Sequence, residues 1–96
     1  MKAIVVITDS EAMRAFERAF MESGDRGFTI VPTVLGRGKT GLKAGDRIHP
    51  GGSSLLFTVL DEPDLDGTLA FLRRVRDQAG VRDHTKLYVA PIDEVS

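Results

Sequence analysis

The residues best suited to chemistry are gathered in one stretch, Gly36 to Ser53, which reads GRGKTGLKAGDRIHPGGS. Six of the ten glycines lie in it, and four basic side chains (Arg37, Lys39, Lys43, Arg47) stand against one acid, Asp46. Successive amides in glycine-rich turns, flanked by cations, can cradle an anion without a helix. Two sharper patterns can be tested on the spacing. Gly36, Gly38 and Gly41 match G-x-G-x-x-G after an expected strand, but a dinucleotide fingerprint needs a helix starting at the third glycine, whose free amides meet the pyrophosphate. LKAGDRIHPGG follows instead, with further turns and a proline, and no helix is expected there. Gly38-Lys39-Thr40 ends like a P-loop, but G-x-x-x-x-G-K-T requires glycine at position 33, where Thr33 stands. Two readings remain open on the residues alone: an anion cradle, and a solvated flexible loop whose glycines only supply turns.

Other candidate chemistry is sparse. His49 and His84 are the only histidines, and with Asp46 and Asp83 nearby they form an alternative metal set. Two histidines without cysteine or an H-x-E spacing fit surface positions better than a zinc site. Ser10, Ser53 and Ser54 lack the flanking glycines of a nucleophile elbow. No carboxylate pair stands apart from the solvated helix faces, so no catalytic residue is expected and the chain reads as a non-enzyme. With no cysteine there is no disulfide framework or thiol nucleophile, which fits a reducing compartment. The formal net charge of −1 gives no overall attraction to nucleic acid, and no nucleic-acid partner is expected. The opening MKAIVVITDSEAM reads as a first strand rather than a signal peptide. No apolar stretch approaches the ~20 residues of a membrane span, and a cytoplasmic location is expected.

The elements that must position the loop are legible in the patterning. The 96 residues suit one core, so 1–96 is expected to form a single domain, with 36–53 as its long loop. Ala3 to Ile7 is a continuous apolar run closed by Thr8-Asp9-Ser10, which predicts a central strand buried on both faces. Asp9 or Ser10 is placed to cap a helix in which Ala12, Met13, Phe16, Ala19 and Phe20 recur at helical spacing to about Glu22. Ser23-Gly24 ends that helix. Gly27 to Leu35 is rich in β-branched residues but holds Pro32, which predicts a strand with a bulge or a sheet edge there. Leu55 to Leu60 is a third strand, and Asp61-Glu62-Pro63-Asp64 supplies the acids and proline of a helix start. Leu65, Leu69, Leu72, Val75 and Ala79 share one face of the second helix, Gly80 is its C-terminal cap, and Leu87 to Pro91 is the last strand. Strand, helix, strand, loop, strand, helix, strand is the α+β, ferredoxin-like βαββαβ order. It implies a four-stranded antiparallel sheet with two helices on one face and a long loop between strands 2 and 3. The other face then carries apolar side chains that no helix covers, which predicts an oligomer.

In this order the chain resembles the PII-like superfamily of signalling proteins. Gly27-Phe28-Thr29 opens the second strand much as the family's Gly-Met-Thr does. Val34-Leu35-Gly36-Arg37-Gly38-Lys39 is similar to the base of its T-loop, with Gly51-Gly52-Ser53-Ser54 returning to the third strand. Ala79-Gly80 with Lys86-Leu87-Tyr88-Val89-Ala90-Pro91 resembles its B-loop and last strand. The resemblance implies a homotrimeric regulatory protein of the nitrogen-regulation type, with no obligatory cofactor. Its small anionic effector would be an adenine nucleotide, ATP, ADP or AMP, held between subunits. Carried over position by position, Gly27, Phe28 and Thr29 would line the base, and Gly36, Arg37, Gly38, Lys39, Thr40, Gly80 and Lys86 would surround the phosphates. The loop would signal to a protein partner, a membrane transporter or an enzyme. The chain also departs from the family. Asp83-His84-Thr85 replaces the Gly-Asp-Gly before the B-loop lysine, Thr40 stands for the glutamine at the T-loop base, and the loop has no tyrosine. The family's C-terminal arginines have no counterpart in a sequence ending at Ser96. The loop also looks like that of a group of PII-like proteins, some of them linked to metal-efflux systems. The alternative is a metal-responsive trimer resembling the divalent-cation-tolerance proteins, with His49 and His84 as ligands.

Overall fold

Strand β1, Lys2–Asp9, pairs antiparallel with β5, Ser53–Leu60, on one side and with β6, Lys86–Pro91, on the other. β2, Thr29–Val34, adds to the far side of β5, so the sheet order is β2-β5-β1-β6. The computed structural model describes residues 1–34, 37–38, 41–42 and 52–96. Inside the segment expected as a loop, Arg37–Gly38 (β3) and Gly41–Leu42 (β4) pair as a short antiparallel ribbon. Helices α1, Ser10–Ser23, and α2, Leu65–Gln78, cover one sheet face. This is the ferredoxin-like α+β arrangement expected from the sequence.

The core lies between that face and the helices. Ile4 and Val6 of β1 and Leu56 of β5 meet Met13, Phe16 and Phe20 of α1 and Leu72 and Val75 of α2. Alternation along β1 puts Ile4 and Val6 at 0% exposure, while Val5 and Ile7 on the opposite face are only partly covered. The central position expected for β1 is therefore correct, but within one chain its second face stays open. Phe20 packs against Phe28 with ring centres 5.2 Å apart and planes tilted by 50°, and it meets Phe71 edge-on at 5.3 Å, while the Arg26 guanidinium lies 4.5 Å from the centre of the Phe71 ring.

Pro32 acts as expected. The β2–β5 register shifts between Val31 and Val34, and β2 is an edge strand, where a residue without an N–H does least harm. Gly24 and Gly80 follow the two helices in the left-handed conformation that ends helices. One local expectation fails. Neither Asp9 nor Ser10 caps α1 through its side chain. Their groups reach across the fold instead, because β1 delivers them next to β2 and to the turn before β6.

Candidate functional site

Three tertiary ties converge where β1 ends and α1 begins. The Ser10 hydroxyl donates to the Pro32 carbonyl at 3.3 Å, and the Ser54 hydroxyl lies 2.9 Å from Ser10 and within reach of the same carbonyl. The Ser10 amide donates to the carbonyl of Gly52 at 3.1 Å. Gly52 is buried with φ of 71°, a conformation that costs other residues roughly 1–2 kcal/mol. Together these bonds join the bulge of β2, the first residues of β5 and the start of α1.

The second tie holds the turn before β6, a 3-10 turn at Arg82–His84. Thr85 donates to the Val81 carbonyl at 2.7 Å, so its 2.8 Å contact with Thr8 is one in which Thr8 donates. Thr8 and Thr85 are 1% and 6% exposed. Replacing Thr85 by valine leaves the buried Thr8 hydroxyl without its acceptor, while the Val81 carbonyl keeps the His84 amide as a donor, and a loss of about 1–3 kcal/mol is expected in urea denaturation. The double variant Thr8→Val/Thr85→Val should recover part of that loss, since it removes both hydroxyls. The third tie is His84, whose Nδ1 lies 3.4 Å from an Asp9 carboxylate oxygen.

The sequence-expected ligand residues fall in three groups. Gly27 and Thr29 are exposed at the β2 edge, and Phe28 between them turns inward onto Phe20. Gly80 follows α2, and Lys86 opens β6 at the other edge, exposed and paired with Ile7. Arg37 and Gly38 belong to the β3–β4 ribbon, where Arg37 pairs with Leu42 and Gly38 with Gly41. Gly36, Lys39, Thr40 and His49 lie outside the described residues. Among the described residues no three His, Cys, Asp or Glu side chains converge as a metal site requires.

Thr29 and Lys86 share the open face of the sheet but stand on opposite edges. Thr29 pairs with Phe57, Phe57 with Val5 and Val5 with Tyr88, while Lys86 lies one step along β6. Three strand spacings and a two-residue step separate them by roughly 15 Å. One chain therefore does not bring the two halves of the expected site together. Between them the open face is apolar, with Val31 38%, Phe57 37%, Val59 43% and Tyr88 54% exposed.

Strand order and helix placement define a ferredoxin-like chain. A crystal structure of a DUF3240 family protein from Shewanella baltica superposes with a TM-score of 0.73 at 12% identity, covering 99% of this chain and 92% of that one. The model of the nitrogen regulatory protein P-II family matches residues 1–96, and the chain belongs to that family. It is a PII-like regulatory protein, as the resemblance in Gly27–Thr29, the loop base and the last strand implied. No match was found among curated proteins.

The serine cluster and the Thr8–Thr85 contact are absent from the sequence reading. Their partners are 44 and 77 residues apart, and only the strand register brings them together.

Proposed function

We propose that the protein is a homotrimeric regulatory module. It binds a small anionic effector, an adenine nucleotide (ATP, ADP or AMP), in clefts between subunits, and it signals through the 36–53 segment to a protein partner, a membrane transporter or an enzyme. The observation that carries this reading is the divided site. Gly27 and Thr29 lie at one edge of a bare apolar face and Lys86 at the other, so a neighbouring copy packed on that face can set one chain's β2 edge beside another's β6 edge. Lys86 and the turn after Gly80 suit phosphate groups as cation and backbone donors, and the amides and cations of 36–40 would complete the polyphosphate contact. The role is regulatory rather than catalytic, since ligand control requires only that the effector prefer one conformation over another.

Thermal unfolding with ATP, ADP and AMP tests it. A ligand at about 100 times its Kd stabilises the native state by about 2.7 kcal/mol, so a rise of several degrees in Tm is expected. Lys86→Ala should remove most of that rise while leaving the unliganded Tm unchanged, because Lys86 is exposed. No rise with any of the three nucleotides would overturn the nucleotide reading, and an equal rise in Lys86→Ala would place the ligand elsewhere.

A further inference from the structure

At the end of the sheet away from the serine cluster, a cleft of about 440 Å³ opens between the 25–27 turn, the last residues of β5 and the first turn of α2. Its volume is in the range of small-molecule pockets. Two features of its wall are unspent. Thr68 is 5% exposed, and its hydroxyl has no hydrogen-bond partner among the described residues. No fully enclosed side-chain polar atom among those residues lacks a partner, so the Thr68 hydroxyl is the part of that side chain that opens into the cleft. Arg26 is held by stacking on Phe71 at 4.5 Å, and its closest carboxylate oxygen among the described residues, on Asp25, is 3.7 Å away, too long for a hydrogen bond. Its forked donors are thus positioned without being used by the described residues.

The charges around these donors select the ligand. Asp25, Asp61 and Asp64 line the cleft along with Arg26. A simple anion would meet three carboxylates, and a simple cation would leave the guanidinium and the Thr68 hydroxyl without partners. A ligand carrying both signs on adjacent atoms satisfies both walls. We propose that this cleft binds a free α-amino acid, its carboxylate on Arg26, Thr68 and the positive end of the α2 dipole, and its ammonium on Asp61 and Asp64. Gly67 is the point of approach, because no heavy atom lies within 4 Å of where a side chain there would begin. The excess of carboxylates favours a basic side chain over an acidic one. Arg26, Asp61, Asp64 and Thr68 take no part in the nucleotide site proposed above, and Gly27 is the wall that the two share.

Titration calorimetry with L-lysine, L-alanine and L-glutamate on the full chain tests this. Saturable binding is expected, strongest for L-lysine and weakest for L-glutamate. Cadaverine, which lacks the carboxylate, should bind at least tenfold more weakly than L-lysine, as expected for lost hydrogen bonds to a charged group. Thr68→Val keeps the shape of the side chain and should weaken L-lysine about tenfold without lowering the Tm, whereas Lys86→Ala should leave the affinity unchanged. Amide shifts of Gly27 and Gly67 on titration give a second readout that does not depend on a variant folding. No saturable binding up to millimolar amino acid, or L-lysine affinity that Thr68→Val leaves intact, would overturn the assignment.

Discussion

Replacing Phe20 by alanine is expected to cost about 3–5 kcal/mol, the range for emptying a buried aromatic site. Phe20 is 1% exposed and is the ring that joins Phe28 of the β2 approach to Phe71 of α2. Its removal takes away apolar burial and leaves a cavity bounded by two aromatic rings that cannot both move in, since Phe71 also supports Arg26. Domains of this size commonly hold about 5–15 kcal/mol in all, so the variant sits near the edge of folding. Urea denaturation by circular dichroism measures it. A loss under about 1.5 kcal/mol, in the range of a volume-conserving core swap, would show that the three rings do not form the joint between the helices and β2. Phe20→Leu should lose less, because it keeps most of the buried volume.

The second large effect is on assembly. Phe57 lies on the open face at 37% exposure, flanked in the register by Thr29 and Val5. In the proposed homotrimer it is buried against a neighbour, where a carboxylate without a partner is strongly disfavoured. Phe57→Asp is therefore expected to turn a trimer into a monomer in sedimentation. Interface truncations of this kind commonly cost about 2–4 kcal/mol, a factor of roughly 30 to 1,000 in dissociation constant. Far-UV circular dichroism should be unchanged, because the side chain is not in the core. A monomeric parent chain, or a variant that stays trimeric, would show that this face is not the interface.

Much of the architecture is written locally, and those parts are legible in the residues. Val-Ile runs of strand length, Met13-Phe16-Phe20 at helical spacing, and glycines after each helix act within a few residues of themselves. Pro32 is the best case: lacking an N–H, it predicts a bulge or an edge, and β2 has both. The failures share one cause. Asp9 and Ser10 read as helix caps because a cap is the nearest use for such side chains, yet the sheet offers them His84, Pro32 and Ser54. Thr68 has no place in the apolar pattern read for the second helix, although it lies four and seven residues before Leu72 and Val75 on the buried stripe. The expected site was readable as a set of residues and not as a geometry: Gly27, Thr29, Gly80 and Lys86 can be picked out of the sequence, but only the strand order shows that Thr29 and Lys86 stand on opposite edges of the sheet. The expected phosphate contacts at Gly36, Lys39 and Thr40 fall outside the described residues.

The bonds of Ser10 bear on how this chain can change over evolutionary time. Pro32 on one side and Gly52 and Ser54 on the other bracket residues 33–51, and all three are tied to the first residue of α1. The two ends of the intervening chain are thus fixed by contacts that the segment itself does not supply. Closing a longer loop between fixed ends adds only about 0.6 kcal/mol for each doubling of its length. Sequence and length between those anchors can therefore drift, or be exchanged for another protein's recognition segment, at little cost to the sheet and helices. The part of the molecule that would choose the partner is in this sense separable from the part that must fold.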